Sequence, residues 1–214
     1  MKNKVLIIGA GGHARSVMDI ILQNNEYEIV GCIDNCYDSR KQVEGMEHIP
    51  IIGNDDMLLE FRKAGIYHCF VALGNNNLRE KLFHKIKDLG FTPINVISKH
   101  AILSSTVNLG DGICIMPGAI LNINVVVEDN CILNTNCSID HDCFIGKNSH
   151  IAPGVTLSGA VVVNKNVQIG TGACVIDGIN IRERAFIGAG ATVVKDITAG
   201  MLAYGVPAKE IRKL

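Results

Sequence analysis

The chain has 214 residues, of which 48% are hydrophobic and 19% are charged, and its formal net charge is −1 at pH 7. This composition is typical of a globular chain with one large or two small domains, and it excludes a disordered chain. The near-zero charge provides no basic surface for nucleic acid, and no apolar run is long enough to span a membrane. We therefore expect no nucleic-acid partner and no membrane insertion.

The first predicted elements are a strand, a glycine-rich turn and a helix. A buried strand at residues 4–8 leads into Gly9-Ala10-Gly11-Gly12-His13-Ala14, and the helix continues to residue 22. This order, with the spacing G-x-G-x-x-A, directs backbone N–H groups at a phosphate. The next strand, at residues 28–33, places Asp34 about twenty residues after the glycines, as in a dinucleotide-binding unit. A plain tight turn between strand and helix is the alternative.

A second glycine turn follows in the same predicted domain. Strands at residues 49–52, 68–73 and 91–97 and helices at 55–64 and 78–89 complete an α/β domain by residue 95. Gly74-Asn75-Asn76 lies between the strand at 68–73 and the helix that bears Arg79. Because parallel strands end at one edge of a sheet, residues of both turns and of the second strand's end should meet in one crevice. These residues are His13, Asp34, Asn35 and Gly74; the alternative is that they are ordinary turn residues.

The second half of the chain is a six-residue repeat. An aliphatic residue occupies every sixth position from Leu103 to Val193, sixteen positions without a break. The residue two places before each aliphatic is small or apolar, and the rest of the hexad is rich in Gly, Asn, Asp and Lys. The aliphatic residue and the residue two places before it therefore point inward, with one outward residue between them, as in a short strand. The polar residues form the bend that follows the strand. Three hexads then close one triangular coil, and the repeat stacks about five parallel coils.

The repeat also explains several of the eight cysteines. Cys131, Cys137 and Cys143 fall in the small inward position, where a thiol acts as a small hydrophobe. No C-x-x-C pair occurs, so the sequence favours neither a disulfide framework nor a zinc site of that type. We expect free thiols in a reducing, cytoplasmic environment.

A polar segment within the repeat carries the residues that could do chemistry. His141 lies two positions after the inward Ile139, at a corner, and so faces out. His150 precedes the inward Ile151, so strand alternation also turns it outward. Asp142 adjoins His141, and a carboxylate beside an imidazole fixes its tautomer and raises its basicity, as a general base requires. The alternative is an exposed histidine beside acids with no catalytic role.

Four motifs occur in order along the chain, and the glycine-turn domain, the six-residue repeat and the last of these motifs together cover nearly all of it. The motifs are Gly9-Ala10-Gly11-Gly12-His13, Ala72-Leu73-Gly74-Asn75-Asn76 with Arg79, Leu133-Asn134-Thr135 followed by His141, and Gly205-Val206-Pro207-Ala208-Lys209. With these motifs the chain resembles the sugar O/N-acyltransferase family of hexapeptide-repeat acetyltransferases. It is most similar to the nucleotide-sugar N-acetyltransferases of the bacillosamine and perosamine pathways, with sialic acid O-acetyltransferases as relatives.

The resemblance implies a fold and an assembly. The expected fold is an α/β half-Rossmann, nucleotide-sugar-binding domain at residues 1–95, followed by a left-handed parallel β-helix at residues 96–203. Residues 204–214 are expected to form a C-terminal tail. Members of the family pack as homotrimers with clefts between neighbouring prisms, so we expect a homotrimer.

The resemblance also implies a role for each matching residue. His141 matches the general base, and Asp142 matches the acid that orients it. The positions that match the acetyl-CoA groove are Asn134, His150, Thr171 and Ala189. The positions that match the nucleotide-sugar pocket are Gly11, Gly12, His13, Asp34, Asn35 and Gly74. Asn35 replaces a second Asp of a uridine-binding relative, which leaves the base preference open, and Ala189 replaces a glycine.

The implied function is acetyl transfer from acetyl-CoA to the 4-amino group of a nucleotide-linked 4-amino-4,6-dideoxy sugar in glycan biosynthesis. The nearest alternative is O-acetylation of a sialic acid with the same base. Two further hypotheses are an NAD-dependent oxidoreductase and a non-enzymatic binding or scaffold prism. A zinc site of three histidines, as in a carbonic anhydrase class with similar prisms, lacks ligands here, because only His141 and His150 follow His100. We therefore predict no metal.

Overall fold

The chain folds into two units, Met1–Val96 and Ile97–Leu214. The computed structural model describes residues 2–35, 42–43 and 45–214. Within these ranges, no helix combines the length and the apolar character needed to cross a membrane.

The first unit is a mostly parallel sheet whose strands are connected by helices. Its elements are β1 (Asn3–Ile8), α1 (Gly12–Asn24), β2 (Tyr27–Ile33), β3 (Gln42–Val43), β4 (Met46–Gly53), a 3-10 turn (Asp55–Met57), α2 (Leu58–Lys63), β5 (His68–Val71), α3 (Asn76–Asp88) and β6 (Thr92–Pro93). The strand order is β3-β4-β2-β1-β5-β6, with β3 antiparallel to β4. The central strand β1 is buried from Val5 to Ile8, which explains its unbroken apolar run.

Several predicted elements of this unit have other bounds in the structure, and for two of them the structure gives the reason. Helix α3 begins two residues before the predicted start, because the Asn75 side chain accepts a hydrogen bond from the Leu78 N–H at 3.0 Å and caps the helix. The predicted strand at residues 91–97 is two short strands, Thr92–Pro93 and Val96–Ile97. The chain changes hydrogen-bond partners between them, so one continuous strand does not form.

The second unit is a left-handed parallel β-helix with three faces. The first face contains Val96–Ile97, Cys114–Ile115, Ile132–Leu133, His150–Ile151, Gln168–Ile169, Phe186–Ile187, Met201–Gly205 and Ala208–Lys213. The second face contains Ile102–Leu103, Ile120–Leu121, Ser138–Ile139, Thr156–Leu157, Cys174–Val175 and Thr192–Val193. The third face contains Asn108–Leu109, Val126–Val127, Phe144–Ile145, Val162–Val163 and Asn180–Ile181. The half-Rossmann domain followed by a β-helix that the sequence predicts is therefore confirmed.

The register of the coils follows from the six-residue period. Strands on one face pair with strands 18 residues away, so Ile132 lies beside His150 and Ser138 beside Thr156. The inward positions form a continuous core along the axis of the coils. The three cysteines predicted to point inward, Cys131, Cys137 and Cys143, are fully buried in it.

Most corners of the β-helix contain one residue in the left-handed backbone conformation. This residue is the third after the inward aliphatic of its hexad, and it is often glycine. The others are Asn124, Asn130, Asn136, Asp142, Asn148, Ala160, Asn166 and Arg184, with φ between 56° and 61°. Asn and Asp enter this region more readily than other residues with a Cβ atom. Asp142, with φ of 60°, is therefore both a corner residue and a candidate site residue.

The end of the chain is a hairpin that continues the first face. Met201–Gly205 pairs in parallel with the strand Phe186–Ile187 and antiparallel with Ala208–Lys213. The segment that the sequence describes only as a tail thus contributes strands to the β-helix sheet.

Candidate active site

His141 and Asp142 lie together at an exposed corner of the β-helix. This corner connects the strand Ser138–Ile139 of the second face to the strand Phe144–Ile145 of the third face. We call the stack of corners between these two faces the second edge. The side chains of His141 and Asp142 are each 53% exposed, so both can reach a molecule bound against this edge.

The imidazole of His141 is oriented by its neighbour. Its Nδ1 lies 2.8 Å from Oδ2 of Asp142, which fits an Nδ1–H that donates to the carboxylate. The lone pair of a neutral imidazole is then on Nε2. The pKa of His141 is raised above its ordinary value, first by the hydrogen bond to Asp142 and then by the negative charge of Asp140. The pair therefore has the geometry and electrostatics of a general base.

Two asparagines one coil earlier support this pair. Asn124 donates through Nδ2 to Oδ1 of Asp142 at 3.0 Å, and Asn122 donates through Nδ2 to Oδ1 of Asp140 at 2.8 Å. The same Asp140 oxygen accepts the backbone N–H of His141 at 2.8 Å. These hydrogen bonds lower the pKa of both carboxyl groups and keep them ionised beside the imidazole. Neither asparagine is among the predicted site residues, although each lies one 18-residue coil before the acid that it contacts.

Asn134 and His150 form a second pair on a different edge. Nδ2 of Asn134 lies 3.1 Å from Nε2 of His150, and Oδ1 of Asn134 accepts the Thr135 N–H at 2.8 Å. Asn134 follows a strand of the first face and precedes a strand of the second. We call the stack of corners between these two faces the first edge. His150 lies on the first face beside it, half-buried.

Two further predicted groove residues lie on the first edge. Thr171 and Ala189 each follow a first-face strand by two residues, in successive coils, and both are exposed. The N–H of Gly190 donates to the Thr171 carbonyl at 2.8 Å, which joins these two corners. The four predicted acetyl-CoA residues therefore follow one line along the β-helix.

The structure separates the two groups of predicted residues. His141 and Asp142 are on the second edge, whereas Asn134, Thr171 and Ala189 are on the first. The imidazole of His141 is bonded to Asp142 on its own corner, and the amide of Asn134 is bonded to His150 beside the first edge. One chain thus presents two half-sites rather than one assembled site.

The glycine turns of the first unit meet at the carboxyl edge of its sheet. The N–H of Gly9 donates to the Ile33 carbonyl at 2.8 Å, and the N–H of Ala10 donates to Oδ2 of Asp34 at 3.1 Å. A side chain on Gly9 would approach Ala72 and Leu73 at about 3 Å, and its φ is 109°. Glycine is thus required at position 9 by both conformation and packing. The expected contact between the first turn and the end of β2 is present.

Arg79 stabilises the second glycine turn from inside. It is 1% exposed, and its guanidinium donates to the carbonyls of Leu73 at 3.1 Å and Gly74 at 3.3 Å. It also donates to Oδ1 of Asn76 at 2.9 Å. Because these bonds use the turn's own carbonyls, the backbone between β5 and α3 is held in one conformation.

His13, in the first glycine turn, lies near enough to Arg79 for its charge to act on the imidazole. Burial and the nearby Arg79 charge lower the pKa of His13 to about 4, so its imidazole is neutral at pH 7. Its Nε2 atom is buried without a hydrogen-bond partner in the described structure. The other predicted pocket residues are more open: Asn35 is exposed, and the Cβ positions of Gly11 and Gly74 face empty space. The charge effect of Arg79, which bonds the second turn, is consistent with the crevice predicted from the parallel sheet.

Comparison with known proteins identifies the two units. The PglD N-terminal domain family matches residues 4–86, and the bacterial transferase hexapeptide (six repeats) family matches residues 124–159. A histidine-to-asparagine variant of perosamine N-acetyltransferase from Caulobacter crescentus, in complex with CoA and GDP-perosamine, has 37% sequence identity and a TM-score of 0.93. The match covers 99% of this chain and 98% of that one. The chain belongs to the family of hexapeptide-repeat sugar acetyltransferases.

Other solved structures are similar over nearly the whole of this chain. The acetyltransferase domain of PglB from Neisseria gonorrhoeae, in complex with acetyl coenzyme A, is 32% identical with a TM-score of 0.90, over 99% of this chain and 100% of that one. WeeI from Acinetobacter baumannii is 25% identical with a TM-score of 0.86, over 98% and 100%. Uncharacterized protein L142 of Acanthamoeba polyphaga mimivirus is 34% identical over 108 residues, or 50% of this chain. The chain spans only 20% of the length of that curated relative.

The buried cysteines of this acetyltransferase are poor nucleophiles. Burial raises the pKa of Cys137 to about 12 and that of Cys143 to about 11, so neither forms a thiolate near neutral pH. Cys174 is exposed, but it lies on a strand of the second face rather than at the corner that holds His141. Among the described residues, no three His, Cys, Asp or Glu side chains gather as a metal site.

Proposed function

We propose that the protein transfers the acetyl group of acetyl-CoA to the 4-amino group of a nucleotide-linked 4-amino-4,6-dideoxy sugar. The observation that carries this proposal is the His141–Asp142 pair, with its 2.8 Å Nδ1–Oδ2 separation, on an exposed corner of the β-helix. The 37% identity to an enzyme that was crystallised with CoA and GDP-perosamine supports this choice of substrates.

In the proposed reaction His141 acts as the general base. Its Nε2 accepts a proton from the sugar amine as the amine nitrogen attacks the thioester carbonyl. The new C–N bond forms, the C–S bond breaks, and the CoA thiolate leaves and takes up the proton that His141 accepted, which returns the imidazole to its neutral form. Asp142 holds the imidazole in the Nδ1–H tautomer and stabilises the imidazolium that forms. No acyl-enzyme is needed, because the amine attacks acetyl-CoA directly.

We place acetyl-CoA along the first edge. Asn134, His150, Thr171 and Ala189 follow one line there, which suits an extended ligand. The nucleotide is placed at the carboxyl edge of the first unit's sheet, near Gly11, Gly12, His13, Asp34, Asn35 and Gly74. There, glycine turns and a helix start offer N–H groups to phosphate.

A homotrimer would complete the site. A single chain has its proposed base on the second edge and its proposed acetyl-CoA residues on the first. In a closed threefold assembly, the first edge of one chain can face the second edge of its neighbour, which gives three equivalent composite sites. This arrangement accounts for half-sites that lie on two different edges of one chain. A cytoplasmic location remains a prediction from the cysteines.

Two inactive variants test the composite site. If each site takes His141 from one chain and Asn134 from the next, equal mixing of His141→Ala and Asn134→Ala chains gives about one quarter intact sites. Co-refolded mixtures should therefore recover up to about a quarter of wild-type activity, whereas each variant alone stays inactive. No recovery from mixtures that form trimers by light scattering would contradict a site shared between chains.

A turnover screen tests the substrate class. The purified protein is incubated with acetyl-CoA and with UDP-, dTDP- or GDP-linked 4-amino sugars, and release of the CoA thiol is measured together with the mass of the product. We expect an acetylated amino sugar from at least one nucleotide series, with no reaction on the matching 4-hydroxy sugar. Turnover of free sialic acid alone would instead support the O-acetyltransferase alternative. Binding of NAD(H) without thiol release would support an oxidoreductase.

A further inference from the structure

The Cε1–Nε2 side of the His141 imidazole lies directly against Gly159. Gly159 is 18 residues after His141, on the same second edge and one coil further along. A Cβ atom at position 159 would lie 2.5 Å from Cε1, 2.6 Å from Nε2 and 3.2 Å from Nδ1 of His141. Non-bonded carbon atoms are normally about 3.5–4.0 Å apart. The observed ring position is therefore incompatible with any side chain at residue 159.

The backbone does not explain glycine at this position. Gly159 is not among the glycines with positive φ; the left-handed residue of this corner is Ala160, with φ of 56°. The equivalent corner position in other coils of the second edge holds Ile123, His141 and Asp177. Ordinary side chains are therefore compatible with this corner position, and the distinctive feature at 159 is the imidazole against it.

We propose that Gly159 is a positioning residue: its missing side chain provides the space in which the His141 imidazole keeps its hydrogen bond to Asp142. The expected effect on catalysis rests on the proposed function, in which His141 is the base. The contact between Gly159 and the imidazole does not depend on that proposal. With alanine at 159 the ring must rotate away from Cβ, and the 2.8 Å Nδ1–Oδ2 contact cannot be kept in its present form.

Among the residues that the structure describes, the charges that raise the pKa of the imidazole come from its own corner. These charges belong to Asp140 and Asp142, which precede and follow His141 in the sequence. The neighbouring coils contribute residues 122–124 and 158–160, none of which is charged. A rotation away from Asp142 thus removes the largest cause of the raised His141 pKa, and nothing in the adjacent coils replaces it.

The test is Gly159→Ala, with Asp177→Ala as the matched control at the same corner position one coil further along. Nitrogen-edited NMR titration of the imidazole measures the His141 pKa without any substrate. We expect the pKa to fall in Gly159→Ala and to stay unchanged in Asp177→Ala. In turnover with the amino sugar identified by the screen, kcat should fall at least about tenfold. The acid limb of its pH profile should move to lower pH, with the KM for acetyl-CoA changed less than about threefold.

The His141 pKa in Gly159→Ala decides whether the positioning role holds. A His141 pKa in Gly159→Ala equal to that of wild type would overturn the proposal, whether or not any substrate is turned over. If the His141 pKa shifts in Gly159→Ala but the wild-type protein itself has no acetyltransferase activity, the positioning role stands and the proposed function is contradicted. If Gly159→Ala fails to fold, the double variant with His141→Ala should recover wild-type thermal stability, because the clashing ring is gone. Failure to recover would also overturn the proposal.

Discussion

The second edge of the β-helix and the carboxyl edge of the first unit's sheet position their candidate residues in opposite ways. On the second edge of the β-helix, His141 and Asp142 are each 53% exposed and are positioned by side chains one coil away. At the carboxyl edge of the first unit's sheet, the turns are positioned from inside by Arg79, which is 1% exposed, and by backbone hydrogen bonds. At the second edge, the candidate catalytic side chains lie outside the hydrophobic core. At the sheet edge, the residue that holds the turn is itself buried.

The difference predicts how function and stability separate in variants. At the exposed edge, a substitution should remove activity and leave the free energy of unfolding almost unchanged, because the inward aliphatic residues carry the fold. At the sheet edge, a substitution should change both together, because the same hydrogen bonds shape the turn and satisfy buried groups.

The largest expected effect is on activity at the second edge. His141→Ala should lower kcat by about 10²–10⁴-fold, because the proposed general base is lost. Its free energy of unfolding should stay within about 0.5 kcal/mol of wild type, as measured by urea titration. His100→Ala, at another exposed histidine of the β-helix unit, is the control and should change neither quantity. A His141→Ala activity within threefold of wild type would remove the base assignment.

The next effect is on stability at the sheet edge. Arg79→Met should lower the free energy of unfolding by about 3 kcal/mol, because the carbonyls of Leu73 and Gly74 lose a buried, charged donor. Lys81→Met, at an exposed position of the same helix, should be nearly neutral. Denaturant titration of both variants measures the difference. A loss below about 1 kcal/mol for Arg79→Met would show that the turn does not depend on this guanidinium.

A smaller effect concerns pH. The pKa of His13 is lowered to about 4 in the folded protein, from 6.5 in an exposed histidine. Between these values the unfolded chain binds the proton and the folded chain does not, so folding is favoured by rising pH. The contribution is complete above about pH 6.5 and is lost as pH falls towards 4, by about 2 kcal/mol at pH 4.5.

His13→Gln tests this dependence. The loss of unfolding free energy between pH 7 and about pH 4.5 should be smaller in the variant than in wild type by about 2 kcal/mol. His84→Gln replaces an exposed histidine on α3 and should keep the wild-type pH dependence. An identical pH dependence in His13→Gln and wild type would contradict the buried, neutral state of His13.

The sequence predicts the β-helix well because the six-residue period shows which side chains point into the core and which point outward. The same period also separates the half-sites: Asn134 and His141 are seven residues apart, more than one hexad, and so lie on different edges. It pairs Asn124 with Asp142 as well, since residues 18 apart stack. Both features follow from the repeat only when each polar residue is assigned to its coil, because residue type alone does not distinguish one corner from another.

Other features of the two sites depend on side-chain conformations that the sequence pattern does not predict. Arg79 is visible in the sequence as part of a motif, but its guanidinium could reach solvent, a ligand or the backbone. Its burial against the Leu73 and Gly74 carbonyls is decided by packing in three dimensions. In the same way, the contact between Gly159 and the His141 ring depends on a single side-chain rotation.

The finest point of this comparison is whether the raised pKa of His141 is set by its hydrogen bond to Asp142. The base must be neutral to accept a proton, so activity rises with pH through its pKa, and a raised pKa moves this acid limb to higher pH. In Asp142→Asn the carboxylate that accepts the Nδ1–H hydrogen bond, the main cause of the raised pKa, is replaced by a neutral and weaker acceptor. The acid limb of kcat/KM should then move to lower pH, and the plateau kcat should fall about tenfold because the imidazole is less basic and less well oriented.

Asp140→Asn is the matched variant for this measurement. Asp140 acts on the imidazole through its charge, and an asparagine oxygen can still accept the His141 backbone N–H. Its acid limb should therefore move in the same direction by a smaller amount, with little loss of plateau kcat. Profiles between about pH 5 and pH 9 distinguish the two variants. Equal shifts would mean that the two acids act as interchangeable charges, and the 2.8 Å hydrogen bond to Asp142 would then have no special part in the activity.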